Sequence, residues 1–181
     1  MSNELLGALI PALAAGVPVL ILAFQLIQQN RLERKRVEVE YLRRALEALD
    51  LPFRAMMRIR TEAAVLAIRH RAGPTIDHER QLVQMAAEWE LASNDHMGGL
   101  SVAMSFARAD DDNHLYEALL AAANTGNDLR YLVVEALQAA SRDDAKLPAR
   151  DIQSDERFKQ AADERGRAAN MLVKRIHRLY G

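Results

Sequence analysis

The sequence predicts an all-α protein, with a single N-terminal transmembrane helix that continues into a cytoplasmic helical bundle of about five helices. Three observations predict this class. An uncharged apolar run fills residues 5–27, and apolar residues recur at three- and four-residue spacing over most of the remaining chain. The 181 residues also include only 8 Gly and 5 Pro, with no alternation typical of strands.

The predicted anchor, residues 1–30, is built around the run LLGALIPALAAGVPVLILAFQLI. As a helix of about 1.5 Å per residue, this run is about 35 Å long and can cross a bilayer core of about 30 Å. A cleavable signal peptide is the main alternative. It requires a basic segment before the run, whereas Glu4 is the only charged residue there. An uncleaved anchor is therefore expected.

The residues that flank the run predict its orientation. Four basic residues follow it, and the short N-terminal side has no Lys or Arg. By the positive-inside rule, the N-terminus lies outside and the rest of the chain is cytoplasmic, at the inner membrane. The basic cluster can also hold anionic headgroups, or it can act only as a stop signal for translocation. Its members are Arg31, Arg34, Lys35 and Arg36.

Two sets of residues predict self-association. Ala8, Ala12 and Gly16 recur at every fourth position and allow close approach between membrane helices. In the juxtamembrane segment, residues 31–51, a heptad pattern predicts a coiled-coil-like helix whose contacts centre on Leu42, Leu46 and Leu49. The alternative is an amphipathic helix packed on its own domain. The full pattern also includes Leu32 and Val39.

The remaining residues, 52–181, predict the bundle. Asp50-Leu51-Pro52 is a helix start, and Ala72-Gly73-Pro74 ends that helix. The next helix begins at Thr75 or Asp77, and Gly98-Gly99 either breaks it or lets another backbone come close.

The second half of the bundle has three further signals. The carboxylates of residues 110–112 favour a helix N-terminus, where the helix dipole stabilises negative charge. Residues 124–127, Asn-Thr-Gly-Asn, are interpreted as a turn, although a continuous helix can absorb them. A polar loop over residues 141–154 precedes a last helix that starts after Ser154.

Charge is segregated along the chain although the net charge is only −1. Residues 31–71 hold 11 basic and 6 acidic side chains, residues 72–156 hold 6 and 16, and residues 157–181 hold 7 and 2. The simplest interpretation is that the basic first and last helices pack beside the acidic ones. The absence of an overall basic excess argues against nucleic acid as a partner.

No cofactor or metal is expected from the sequence. The chain has no Cys, which excludes disulfides, thiolate metal sites and cysteine nucleophiles. Asp111 and His114 share a helix face, but the Glu-x-x-His motif of di-iron bundles is absent. The neighbouring pairs Asp77-His78 and Asp95-His96 are interpreted as surface residues or caps.

One short segment has an Arg and a His with five residues between them, from Arg108 to His114. It resembles the Arg-x4–6-His active-site motif of HEPN ribonucleases. The resemblance covers seven residues and implies RNA cleavage by a dimer, with Arg108 and His114 at the dimer interface. The segment departs from the family at Ala109, where a polar residue is usual, and its three Asp residues would repel RNA phosphates.

The leading functional hypothesis is a membrane-anchored scaffold, or a subunit of a membrane complex, that acts through protein–protein contacts rather than as an enzyme. Its expected partners are the bilayer and either further copies of the chain or other membrane subunits. A membrane-tethered effector with HEPN-like chemistry is the alternative. Arg outnumbers Lys by 20 to 4, a bias typical of bacteria with high-GC genomes.

Overall fold

A computed structural model describes residues 2–72, 77–142 and 152–180, with backbone alone at residues 2–21, 23 and 70–72. All regular structure in these ranges is helical, which confirms the predicted all-α class. The helices are α1 (Ser2–Ala48), α2 (Leu51–Ala72), α3 (Asp77–Ala109), α4 (Asn113–Asp128), α5 (Arg130–Ser141) and α6 (Glu156–Tyr180), with a 3-10 turn at Ile152–Ser154 before α6.

The chain forms two compact units, Met1–Val39 and Glu40–Gly181. The division falls inside α1, whereas the predicted domain boundaries follow residues 30 and 51. Among the fully described residues, no helix is both long enough and apolar enough to cross a bilayer. The predicted span, residues 5–27, lies mostly at positions whose side chains are outside the described residues.

The second unit is built from four antiparallel rods. Rod 1 is residues 40–72, rod 2 is α3, rod 3 is α4 followed by α5, and rod 4 is the 3-10 turn followed by α6. Contacts between successive rods define their directions. Rods 1 and 2 are antiparallel because His96 contacts Ala48 and Glu88 contacts Arg58, and rods 2 and 3 because Glu90 contacts Arg130 and Ser93 contacts Asn127. Rods 3 and 4 are antiparallel because Arg175 lies 4.0 Å from Asp112, the N-cap of α4, and Asp155 contacts Tyr131. The order is up-down-up-down, as in many four-helix bundles.

Rods 1 and 3 each contain a break. Rod 1 breaks at Leu49–Asp50, between α1 and α2. Rod 3 breaks at Leu129, which keeps helical torsion angles (φ −62°, ψ −13°), so α5 continues almost directly from α4. The turn predicted at residues 124–127 is therefore wrong, and the alternative of a continuous helix is confirmed there. Residues 98 and 99 do not break α3 either.

The breaks separate two hydrophobic cores. The proximal core is formed by the end of α1, the C-terminal part of α3, α4 and the C-terminal part of α6, around Leu42, Leu100, Leu119 and Leu172. The distal core is formed by α2, the N-terminal part of α3, α5 and the start of rod 4, around Met56, Ile59, Trp89 and Leu132. Of the described helices, α3 and α6 contribute buried residues to both cores.

Candidate functional site

The part of α1 that precedes the bundle exposes every side chain from Phe24 to Val37. Four large apolar side chains near its start are 52–62% exposed: Leu22, Phe24, Leu26 and Ile27. At 3.6 residues per turn, these positions fall on two opposite sides of the helix. An ordinary surface helix has one apolar face directed at a core, whereas this segment is apolar on both sides.

The predicted basic cluster comes immediately afterwards along the same helix. Its four side chains are exposed, and none forms a hydrogen bond or ion pair with another residue in the described part of the chain. They are Arg31, Arg34, Lys35 and Arg36. Leu32, between them, is also 65% exposed. This stretch of α1 therefore presents an apolar surface followed by an unpaired basic one.

Of the two sets of residues predicted to mediate self-association, only the leucines of the juxtamembrane segment have described side chains. The side chains of Ala8, Ala12 and Gly16 lie outside the described residues, so that prediction stays a prediction. Leu42 and Leu49 are buried in the proximal core, and Leu46 packs against it. These three leucines therefore pack within their own domain, as expected for the alternative of an amphipathic helix.

Arg108 and His114 are both exposed, and no hydrogen bond joins them. The Arg108 guanidinium lies 5.6 Å from the centre of the Tyr116 ring, a cation–π arrangement. The structure places the two residues at opposite ends of the turn between α3 and α4.

The aspartates between them build that turn. Asp111 has a left-handed backbone (φ 54°), which Asp tolerates better than most residues. Asp112 is the N-cap of α4, and its side chain accepts a hydrogen bond from the Leu115 N–H at 3.2 Å. Asp110 pairs with Arg175 of α6. The acidic run therefore has local structural roles at a helix start, as the sequence predicted.

The most unusual polar residue of the bundle is His96, which is 1% exposed. Its Nδ1 lies 2.8 Å from the carbonyl oxygen of Ala48, the last residue of α1, so the imidazole caps the C-terminus of that helix. Its Nε2 faces Gly126 of α4 and has no hydrogen-bond partner among the described atoms. Burial lowers the pKa of His96, and the hydrogen bond to the Ala48 carbonyl only partly opposes this.

Two glycines make this arrangement possible. A Cβ on Gly126 would lie 2.6 Å from His96 Nε2, and a Cβ on Gly99 would lie 2.5 Å from the Ala48 Cβ. Gly99 therefore allows the close backbone approach that the sequence offered as one of two interpretations. Gly98 has open space around it. The sequence predicted that His78 and His96 are surface residues or caps. Both side chains are buried, so the surface location is wrong for each of them.

Opposite charges pair across the rods of the bundle. Basic residues of α2 meet acidic residues of α3 and α5, through Arg58–Glu88 and through Arg60–Glu135 at 3.9 Å. Arg175 of α6 pairs with Asp110 of the acidic middle, and Arg165 of α6 lies 3.0 Å from Asp50 at the break of rod 1. These contacts agree with the interpretation that the basic first and last helices pack beside the acidic middle.

Two grooves lie on the described surface of the bundle. One groove of about 320 Å³ lies between α2 and α3, beside Thr61 and Gln84. Another of about 490 Å³ lies beside Tyr131 and Arg157. Within the described ranges, no group of three or more His, Cys, Asp or Glu side chains is arranged to hold a metal ion.

Comparisons with protein-family models, curated proteins and solved structures find no match to this chain. Sequence reasoning missed the central position of His96, although Gly99, three residues along α3, signalled close packing at that level of the helix.

Proposed function

We propose that the protein is a single-pass, membrane-anchored helical scaffold, or a subunit of a membrane complex, that acts through protein–protein contacts and self-association. The N-terminus lies outside and the bundle lies in the cytoplasm, at the inner membrane. The exposed apolar segment of α1, residues 22–27, is the observation that carries the proposal. Removing a large apolar side chain from water contributes about 1.5–3 kcal/mol. A bilayer provides that environment on every side of a helix.

The sequence before this segment supports the same placement. Residues 5–21 carry no charge, and the first basic residue after the apolar segment is Arg31. Anchoring would confine the bundle to a surface and raise its effective concentration for partners on the same membrane. A scaffold needs exposed, stably folded surfaces more than a catalytic chamber, and the open grooves and paired charges of the bundle suit that role.

Topology is tested by single cysteines, because the chain has none of its own. Ser2→Cys and Ser154→Cys are introduced separately into the full chain. In intact cells, a membrane-impermeant maleimide is expected to label position 2, and to label position 154 only after permeabilisation. Labelling of Ser154→Cys from outside would reverse the orientation, and labelling of both positions would contradict the anchor.

Self-association is tested by native mass spectrometry of the full chain extracted in detergent. We expect a dimer, a larger oligomer or a complex with other subunits. The triple substitution A8L/A12L/G16L should reduce the oligomer, because larger side chains keep the helices apart. The matched control places three leucines on the opposite face of the helix, at Gly7, Ala14 and Val17. A monomer with no co-purifying protein would contradict the scaffold.

A further inference from the structure

The four basic side chains on α1 have no acidic partner among the described residues, whereas about half of the described basic residues of the bundle do. In the bundle, arginines such as Arg58, Arg130 and Arg175 form ion pairs with residues of another rod. On α1, the four cations of residues 31–36 have no such partner among the described residues, although Glu33 lies within the same stretch. Their charge is therefore available to an anionic surface outside the chain.

The placement of these cations along the helix indicates that the anionic surface is a layer of lipid headgroups. Arg31, Arg34 and Lys35 share one face, at i, i+3 and i+4 spacing, and Phe24 and Ile27 lie on that face one to two turns earlier. Helical side chains lean toward the N-terminus, so the long basic side chains reach back toward the apolar segment. Their ends then lie where hydrocarbon gives way to headgroups.

The chemistry of the cluster favours phosphate. Three of its four members are Arg, whose guanidinium can donate two parallel hydrogen bonds to a phosphate group. Residues 31–36 extend over about 8 Å of helix, comparable with the depth of a headgroup layer. Arg36 lies nearly opposite the shared face, so the cluster reaches lipids on more than one side of the helix.

We propose that Arg31, Arg34, Lys35 and Arg36 form a binding surface for the phosphate headgroups of anionic phospholipids, which gather around α1 in preference to zwitterionic ones. This proposal rests on the proposed membrane anchor, because the anchor brings the cluster to the headgroup layer. A basic side chain close to an anionic surface contributes about fivefold in partitioning, equivalent to about 1 kcal/mol.

The test uses the full chain in detergent, titrated with phosphatidylglycerol or phosphatidylcholine, with retained lipids counted by native mass spectrometry. We expect the wild-type chain to retain phosphatidylglycerol in clear preference. The variant R31Q/R34Q/K35Q/R36Q should reduce this preference by at least about tenfold. The control R80Q/R142Q/K159Q/R167Q removes the same charge from exposed positions of the bundle and should keep the preference.

A separate assay distinguishes failure of this proposal from failure of the anchor. Each protein is reconstituted into vesicles of phosphatidylcholine alone, washed with alkaline carbonate and floated on a density gradient. A wild-type chain that does not float contradicts the anchor. A chain that floats but shows no preference for phosphatidylglycerol contradicts the lipid surface and leaves the cluster as a stop signal alone.

Two further outcomes would also overturn the proposal. If the bundle control loses the same preference for phosphatidylglycerol, the preference depends on the overall charge of the chain and not on the cluster at residues 31–36. Competition by inorganic phosphate at the same molar concentration as the lipid would indicate a free-phosphate site. Raising the ionic strength should weaken the preference of the wild-type chain, because salt screens exposed charges.

Discussion

His96 combines two properties that oppose each other, since a titratable imidazole is buried in an apolar core and also caps a helix. The neutral ring satisfies the last carbonyl of α1, whereas a charged ring would have to lose its hydration. The pKa of His96 is lowered because the loss of hydration disfavours the charged ring more than the hydrogen bond favours it. The centre of the bundle therefore favours the neutral form.

This lowered pKa predicts how stability depends on pH. Unfolded, His96 returns to its ordinary pKa of about 6.5, so between that value and the folded pKa the unfolded chain binds more protons. The contribution of His96 is therefore complete above pH 6.5, declines as the pH falls toward the folded pKa, and levels off below it. Urea unfolding of the wild-type chain and of His96→Gln over pH 4–8 measures this contribution.

The matched control for that experiment is His114→Gln, which changes an exposed histidine on the neighbouring helix. His96→Gln should have a shallower slope than both the wild-type chain and His114→Gln, because only His96→Gln removes the His96 imidazole from the core. If all three proteins lose stability in parallel, His96 is not the group responsible.

The adjacent glycines of α3 give a second prediction at the residue scale. Gly98→Ala should stabilise the protein by about 0.5–1 kcal/mol, because open space surrounds the new methyl group and Ala favours a helix. Gly99→Ala gains the same helix propensity but places a Cβ 2.5 Å from the Ala48 Cβ, and overpacking of this kind costs about 1–3 kcal/mol. Thermal and urea unfolding should therefore shift in opposite directions for the two variants.

At the scale of elements, helix starts were predicted better than the packing between helices. Asp50-Leu51-Pro52 and the acidic residues before α4 are local signals, and the structure starts α2 at Leu51 and α4 at Asn113. Such signals act through caps, dipoles and fixed torsion angles, all of which are set by neighbouring residues. They can therefore be recognised in the sequence alone.

The false turn at residues 124–127 shows why the rest could not be predicted. Asn and Thr favour turns because their side chains can hydrogen-bond to nearby backbone groups. Gly favours turns because it adopts positive φ angles at no steric cost. Here the Thr125 hydroxyl bonds to the Ala121 carbonyl within the helix, and Asn127 accepts a 2.7 Å hydrogen bond from Ser93 of α3. Gly126 packs against His96. Contacts from a distant helix thus override the local preference.

The cap of α4 provides a prediction for an element. Asp112→Ala removes the acceptor for the Leu115 N–H and should lower the free energy of unfolding by about 1 kcal/mol. Asp112→Ser keeps a capping oxygen but loses the charge that lies 4.0 Å from Arg175, so it should cost less. Chemical denaturation compares the two. Equal losses would mean that the ion pair, not the cap, carries the effect.

For the whole molecule, the sequence predicted a helical bundle joined to an N-terminal helix, but not where the compact unit begins. Predicted boundaries relied on charge and on Pro52, whereas the proximal core already includes Leu42 and Ala45 of α1. The heptad pattern could not distinguish a partner helix in another chain from α3, α4 and α6 of the same chain. Both require apolar residues at the same spacing.

This organisation predicts that a fragment of residues 38–181 folds without the N-terminal segment. Both hydrophobic cores are formed entirely from residue 42 onward. We expect circular dichroism typical of helices and one cooperative urea transition, with a stability within about 0.5 kcal/mol of the full chain in the same detergent. A fragment that binds hydrophobic dyes and melts gradually would show instead that the bundle depends on the residues removed.

His96 contacts Ala48 just before the break at Leu49–Asp50 and Gly126 just before the break at Leu129, and the breaks divide the bundle into halves that α3 and α6 traverse. Each half has its own buried core, so partial opening of one need not expose the other. Native-state amide hydrogen exchange should therefore resolve two cooperative groups, with α2 and α5 in one and α4 in the other. His96 is positioned to determine how tightly their opening is coupled.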